Sequence, residues 1–276
     1  MSATGRAKSG WRTSNQNSGV DRPISTPHES CNSARKYAWT VVSVISYVNV
    51  SEKSPIRGDK FAMIGFVGGT GPEGRGLALR FALAGETVML GSRELGRAEE
   101  AVNSISESAP PGSIQGGLND QIAANSDIVF VAVPFAGHQP TLEGLRDQLD
   151  GKIVVDVVAP LTFSRGQVSA IVVDEGSAAQ QAQAILPNSR VVAAFQNISA
   201  EDLLIPARAI DSDVIVCSDD SDAKAQVIAL ADIINGARGV DGGKLENARY
   251  VENFTALLLN INRIYKAHST IKIVGI

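Results

Sequence analysis

The sequence predicts an α/β protein in which a parallel sheet is covered by helices on both faces. Three observations lead there. Beyond residue 60, runs that are apolar along nearly their whole length, such as "DIVFVAVP" (127–134) and "KIVVDVVAP" (152–160), alternate with segments of helical spacing. Strands without a polar face are buried from both sides, as crossover helices bury them. The first such run, "FAMIGFVG" (61–68), enters a glycine cluster and then a helix, the order of a phosphate-binding βα unit. The 276 residues, 44% of them hydrophobic, suffice for one large domain or two modest ones. Together these specify a Rossmann-type doubly wound sheet with a small C-terminal α/β extension.

Residues 1–60 read as an appended segment. Up to about Ser33 the chain is rich in Ser, Asn, Gly, Thr and Pro and lacks periodic apolar positions, the composition of disorder. A β-branched stretch at 40–50 is a stray strand candidate, and "SEKSPIRGDK" (51–60) reads as a linker. "YAWTVVSVISYVNV" (37–50) follows Arg35 and Lys36, but it is too short for the roughly 20 residues of a membrane span. No small-residue cleavage site follows it, so it is not read as a secretion signal.

From Phe61 the elements follow in order. A strand at 61–68 precedes a helix at 75–84, stopped by Gly85, and a second strand at 87–93 precedes a helix at 95–106. A short strand at 113–118 and a short helix at 119–125 lead to a strand at 127–134, ended by Pro134. A helix at 138–149, a strand at 152–160, a helix at 177–186, strands at 190–195 and 213–218, and a helix at 221–234 complete the alternation. In "LENARYVENFTALLLNINRIYKAH" (245–268), apolar residues at 245, 248, 251, 254, 257, 258, 261 and 264 form one helical stripe. That stripe packs on the sheet or on a second subunit. The expected division is a nucleotide-binding domain over 61–200 and a smaller domain over 201–276 that completes its cleft.

Gly69-Thr70-Gly71-Pro72-Glu73-Gly74 fits the dinucleotide pattern. Gly69 permits the tight turn, Gly71 lets backbone approach a pyrophosphate, and Gly74 lets helix and strand pack closely. The following helix N-terminus supplies unpaired N–H groups and the positive end of its dipole. NAD-binding folds place an acid about 20 residues further on, to accept from the ribose 2′-hydroxyl. Here that place holds Ser92-Arg93, with Arg97 one turn later. A hydroxyl and two guanidiniums suit a 2′-phosphate, so the expected cofactor is NADP(H).

Other chemistries lack their residues. The net charge is −4, with a pI near 5.5 and 5% aromatics, which excludes a basic field or stacking platform for nucleic acid or an acidic membrane. Cys31 and Cys217 stand far apart, with no disulfide framework or metal spacing, and fit a reducing, cytoplasmic setting. A carbonyl reductase of the short-chain type needs Tyr-x-x-x-Lys, yet no Tyr lies between Tyr47 and Tyr250, and Tyr250 and Lys266 are wrongly spaced. The histidines are His28, His138 and His268. His138 follows the fourth strand where ligands sit, and reads either as a ligand contact or as a water-facing residue at a helix start. Asp156 and Asp174 are candidate acids without a visible partner. The shortage points to a second redox cofactor that accepts a hydride directly.

The blocks "GFVGGTGPEGRGLALRFALAGETVMLGSR", "FVAVPFAGH", "KIVVDVVAPLTFSRG", "SAAQQAQAILPNSRVVAAFQNISA", "DVIVCSDD" and "ENFTALLLNINRIYKAH" together resemble the NADPH-dependent reductases of coenzyme F-420, a 5-deazaflavin. The likeness runs from about Ala62 to the C-terminus. It implies reversible hydride transfer between NADPH and the deazaflavin, in a homodimer. It implies that Thr70, Gly71, Pro72 and Glu73 line the pyrophosphate, and that Ser92, Arg93 and Arg97 hold the 2′-phosphate. Val133 and His138 would lie by the nucleotide, and Ala159 and Ala200 on the nicotinamide side. No acid or base is implied, because the hydride passes from ring to ring. Gln196 stands where the family pattern places His, and Pro72-Glu73 where Asn-Leu is usual; Glu73 near a phosphate is unfavourable unless its side chain points away. Two other readings stay open: a soluble reductase with another acceptor, related to ferric-chelate reductases, and an NADPH-binding sensor without chemistry.

Overall fold

The computed structural model describes residues 63–164 and 166–276, and the readings made for residues 1–62 lie outside the described residues. In chain order the elements are β1 (Ile64–Val67), α1 (Pro72–Leu83), β2 (Val88–Ser92), α2 (Leu95–Ser106), β3 (Ile114–Leu118), α3 (Asn119–Asn125) and β4 (Ile128–Val131). Then come α4 (Phe135–Gly144), α5 (Arg146–Leu149), β5 (Ile153–Asp156), β6 (Leu161–Ser164), β7 (Gln167–Ala170), α6 (Ala178–Ile185), β8 (Arg190–Ala193) and α7 (Ala200–Leu203). The last are β9 (Ser212–Ser218), α8 (Ser221–Asp232), β10 (Ala237–Asp241), a 3-10 turn at Leu245–Asn247 and α9 (Ala248–Tyr265).

Eight strands form one sheet in the order β10-β9-β8-β5-β4-β1-β2-β3. The six from β3 to β8 pair in parallel, β9 pairs antiparallel to β8, and β10 pairs parallel to β9. This is the expected doubly wound sheet. The strand order reverses beside β1, between β1 and β4, and ligands bind at such a switch point.

Two cores explain why the strands read as unbroken apolar runs. Ile64, Phe66, Phe130, Val155 and Val192 turn to the face covered by α1, α2, α7 and α8. Val67, Val129, Val131, Val154 and Val191 turn to the face covered by α3 to α6 and the start of α9. Successive strand residues point to opposite faces, so covering both faces removes the polar alternation. Phe66 and Phe130 stack at 4.7 Å, and Phe81 and Phe195 pack around them.

Several elements were not foreseen. β6 and β7 form a separate two-stranded hairpin that α9 clasps through Asn260, whose amide oxygen accepts from Val168 N and whose amide nitrogen donates to Val168 O. α7 and β10 are also additions. The helix expected at 138–149 begins earlier, at Phe135 after Pro134, and divides into α4 and α5. The stripe on α9 is only half satisfied: Val251 and Leu258 are buried, while Leu257 and Ile264 stay exposed.

Two cations, half-buried Lys152 and buried Arg80, tie the connections to the sheet. Lys152 Nζ donates to the carbonyls of Ala123, Ala124 and Ser126 at 2.6–2.7 Å, closing the C-terminus of α3. Arg80, 3% exposed, does the same for α7 and the loop after it. Helix dipoles favour cations at that end.

Candidate functional site

The helices leaving β1 and β4 pack on opposite faces, so the carboxyl ends of these strands open into a cleft of about 880 Å3. The glycine turn forms its near edge. The left-handed conformation belongs to Gly68, at φ 71°, and not to Gly69 as the pattern suggested. Gly69 is small for packing: a Cβ there would lie 2.6 Å from Phe66 Cβ. Gly74 fulfils its expected part, since its Cβ would lie 2.6 Å from the Gly69 backbone. No atom lies within 4 Å of a Cβ built on Gly71, so this position faces the open cleft. Gly71 caps α1 without a side-chain bond and Pro72 opens the helix, which leaves the first N–H groups of α1 for a ligand. Asn119 Oδ1 accepts from Gly68 N at 3.0 Å and steadies the turn.

At the end of β2, Ser92 is buried and accepts from Glu94 N, while Arg93 and Arg97 are exposed at the cleft edge. Neither arginine forms an ion pair among the described residues. Two such guanidiniums beside a hydroxyl have the donors that a phosphate group accepts from.

Of the residues expected to bind the cofactor, Thr70, Gly71, Pro72, Glu73, Gly74, Ser92, Arg93, Arg97, Val133, Ala159 and Ala200 line the cleft. Gly69 does not, because it packs behind the turn. His138 does not either, and both readings of it need correction. It is fully buried in α4, with Nε2 2.6 Å from Asp156 Oδ2 and Nδ1 3.1 Å from Gln181 Oε1. The early start of α4 turns this side chain inward, under the loop that carries Val133. Both ring nitrogens face oxygen acceptors, an arrangement that suits the imidazolium. Burial alone would lower its pKa, but the Asp156 carboxylate and the two hydrogen bonds outweigh burial and raise it.

Asp156 anchors the floor. Its other carboxylate oxygen accepts from Val158 N at 2.9 Å, and its carbonyl accepts from Gln196 Nε2 at 2.9 Å. Phe195, held in the core at φ 73°, presents Gln196 and Asn197 to the cleft. A positive φ at an aromatic residue costs about 1–3 kcal/mol and persists where its surroundings over-determine it. Gln196 Oε1 and Asn197 Oδ1 are buried without a partner, so both can accept from a ligand N–H. Glu252 of α9 caps α6 across the fold, accepting from Ala178 N and Ala179 N, and burial raises its carboxyl to about 8.

The far half of the cleft is lined by Leu161, Leu258, Leu259 and Asn262. His268 closes its mouth, bonded to Asp202 and Glu201 at 2.8 and 2.7 Å. Sequence reasoning missed Asn119, Asn197 and His268 as cleft residues. Only the position of Asn119, just after a strand, could have signalled it. Among the described residues, no group of three His, Cys, Asp or Glu could hold a metal. The side chains thus offer anion binding at one end, amides in the middle and an apolar chamber at the other.

The family described as NADP oxidoreductase coenzyme F420-dependent matches residues 63–160. The chain is 42% identical over 205 residues to the F420-dependent NADP reductase of Methanothermobacter thermautotrophicus, covering 72% of this chain and 88% of that protein. It belongs to the F420-dependent NADP reductase family. A candidate F420-dependent NADP reductase from Arthrobacter sp. FB24 has the same fold, with a TM-score of 0.66 and 26% identity over 77% of this chain and 99% of that one. The metalloreductase STEAP3 of Rattus norvegicus is 32% identical over 191 residues, 69% of this chain but only 36% of that protein. The match thus takes in most of the Methanothermobacter reductase but only about a third of the metalloreductase.

Proposed function

We propose that this chain transfers a hydride reversibly between NADPH and the 5-deazaflavin coenzyme F-420, both bound in the one cleft. The observation that carries this reading is the undivided run of the cleft, from Arg93 and Arg97 past the glycine turn to Leu258 and Leu259. The bound pair supplies the redox chemistry: NADPH gives the hydride and the oxidised deazaflavin takes it, with one further proton. The protein's part is orientation and close approach. The open face at Gly71 and the N-terminus of α1 fit a pyrophosphate, and Ser92, Arg93 and Arg97 fit a 2′-phosphate. The unpartnered oxygens of Gln196 and Asn197 fit an amide or imide N–H, and the leucines fit a planar apolar ring. In this reading the domain expected over 61–200 holds the nucleotide and that over 201–276 roofs the second ring. Mixing the protein anaerobically with NADPH and oxidised deazaflavin should bleach the visible absorbance of the deazaflavin rapidly, and NADH should do so poorly. Tight NADPH binding without bleaching would favour a sensor.

The same reading includes a homodimer. Tyr250, Phe254, Leu257 and Ile264 follow at steps of four, three and seven residues on α9, Tyr265 adjoins Ile264, and all stay exposed, Tyr265 at 75%. Phe163 on β6, 72% exposed, adds to the apolar surface. Exposed apolar side chains of this number suit an interface, and two copies related by a two-fold axis would cover them. Light scattering should give twice the chain mass, and Leu257→Glu with Ile264→Glu should give a folded monomer. A wild-type monomer at micromolar concentration would sink the dimer. No described helix is long and apolar enough to cross a membrane, and a cytoplasmic setting suits the free, buried Cys217.

A further inference from the structure

The chain beyond α9 passes the far end of the cleft, where His268 and Ser269 line it. Lys266, at φ 50°, ends α9 in the left-handed conformation of a helix cap and turns the chain. Asn262 Oδ1 then accepts from Ser269 N and Ser269 Oγ, both at 2.6 Å. Further on, Thr270 Oγ1 donates to Asn197 O at 3.1 Å, and Ile271 O accepts from Asp213 N of β9 at 2.8 Å. His268 stands between the turn and these anchors. Its Nδ1 lies 2.8 Å from Asp202 Oδ1 and its Nε2 2.7 Å from Glu201 Oε2. The imidazole thus ties the segment after α9 to α7, and both helices line the cleft.

Carboxylates facing both ring nitrogens call for two N–H donors. A neutral imidazole has one, so the pair of bonds belongs to the imidazolium. The other charges around it are Arg208, whose Nη1 shares Asp202 Oδ1 at 2.7 Å, Arg80, bound to the carbonyl of Asp202, and Lys266 on the α9 side. When the imidazolium loses its proton, exposed Glu201 is free to turn to water, whereas half-buried Asp202 keeps Arg208.

We propose that His268 is a positioning residue for the hydride acceptor: as an imidazolium bridging Glu201 and Asp202 it fixes the far mouth of the cleft, and with it the Michaelis constant for the acceptor. The inference rests on the reading that the acceptor ring occupies the chamber at Leu258 and Leu259. It needs no contact between His268 and the reacting atoms. The hydrogen bond to Asp202 raises the pKa of His268. Shallow burial lowers it, the charges of Asp202 and Glu201 raise it and Arg208 lowers it, with a net rise above 6.5. The bridge is therefore complete below about pH 6.5 and is lost as the pH rises through the raised value. The imidazole is exposed and its ion pairs are screened, so the effect on the acceptor's Michaelis constant is about fivefold.

Steady-state kinetics of the full chain with NADPH and oxidised deazaflavin would be followed from about pH 5.5 to 9.5, for wild type, His268→Gln and His268→Arg. Glutamine has one donor group, like the neutral imidazole, and arginine keeps its charge and two donors throughout. The comparison is of variant against wild type at each pH, because the reaction itself takes up a proton whichever residue stands at 268. His268→Gln should raise the acceptor's Michaelis constant about fivefold at the acid end and leave it unchanged at the alkaline end. His268→Arg should match the wild type in acid and bind the acceptor about fivefold better in alkali. Turnover and the Michaelis constant for NADPH should stay within about twofold. In the chain without ligands, the imidazole proton resonance that His268→Gln removes should titrate above 6.5 in the wild type and lower in Glu201→Gln. A ratio of Michaelis constants that is one, or the same, at every pH overturns the proposal. So does a His268 resonance that titrates alike with and without Glu201. Absence of bleaching by the wild type would instead remove the acceptor reading, and this inference with it.

Discussion

Arg93→Ala should raise the Michaelis constant for NADPH tenfold to about a hundredfold and leave that for NADH within about twofold. The range follows from one charge-assisted hydrogen bond, worth about 1.5–3 kcal/mol. Arg93 is exposed and forms no hydrogen bond or ion pair among the described residues, so its truncation breaks none of these. Ser92 lies buried at the strand end and stays to orient the remaining phosphate contact. Arg97 is nearby, so removing both arginines should not be additive. Salt is a second handle: raising ionic strength should weaken NADPH more than NADH, because screening acts on the extra phosphate. Steady-state kinetics with both dinucleotides decides the matter. If the two constants rise together, Arg93 supports the fold or the common part of the nucleotide, and the 2′-phosphate assignment is wrong.

Arg80→Met should lower the melting temperature by about 10 °C, equivalent to roughly 3–5 kcal/mol. The guanidinium donates Nε to Leu203 O at 2.8 Å, Nη2 to Asp202 O and Ile205 O at 2.7 and 2.6 Å, and Nη1 to Arg208 O at 2.7 Å. Methionine fills the same space and leaves these carbonyls without donors. Gly76, one turn earlier on the same face, shows how close the elements lie: a Cβ there would sit 2.6 Å from Leu203 Cβ. Helix α7, so held, carries Ala200 and Glu201 to the cleft, so NADPH binding should weaken as well. Lysine should not rescue, because one ammonium cannot reproduce the planar fork. Thermal unfolding of the two variants tests this, and a melting temperature within about 2 °C of wild type would show that water replaces the guanidinium.

The legible elements share one property: their signal is local. β1, β4 and β5 are apolar runs bounded by Gly, Pro or Asp, and α2 and α8 keep a helical period. The phosphate-binding turn and the Ser92-Arg93 end of β2 lie about 20 residues apart within one βαβ unit, so spacing alone brought them together. The hairpin of β6 and β7 escaped because its four-residue strands are mostly exposed and carry no apolar run. β10, "ARGVD", lacks such a run as well. The antiparallel turn of β9 against β8 had no sequence signature, since a strand buried on both faces reads the same in either direction.

The site divides along the same line. The glycine turn and the basic corner of the cleft were written in the chain, and the floor was not. Asp156 looked like an isolated acid and His138 like a surface or ligand residue, yet they bond to each other across 18 positions. Glu252 reaches 74 positions back to cap α6, and Arg80 binds carbonyls more than 120 positions away. The chain by itself determined that a covered parallel sheet would carry a glycine turn and a basic corner at its carboxyl edge. Only the tertiary structure decided which charged groups would be buried together beneath it. Periodicity and capping act within a few turns of chain, whereas desolvation and charge pairing depend on approaches that the sheet order creates between distant segments.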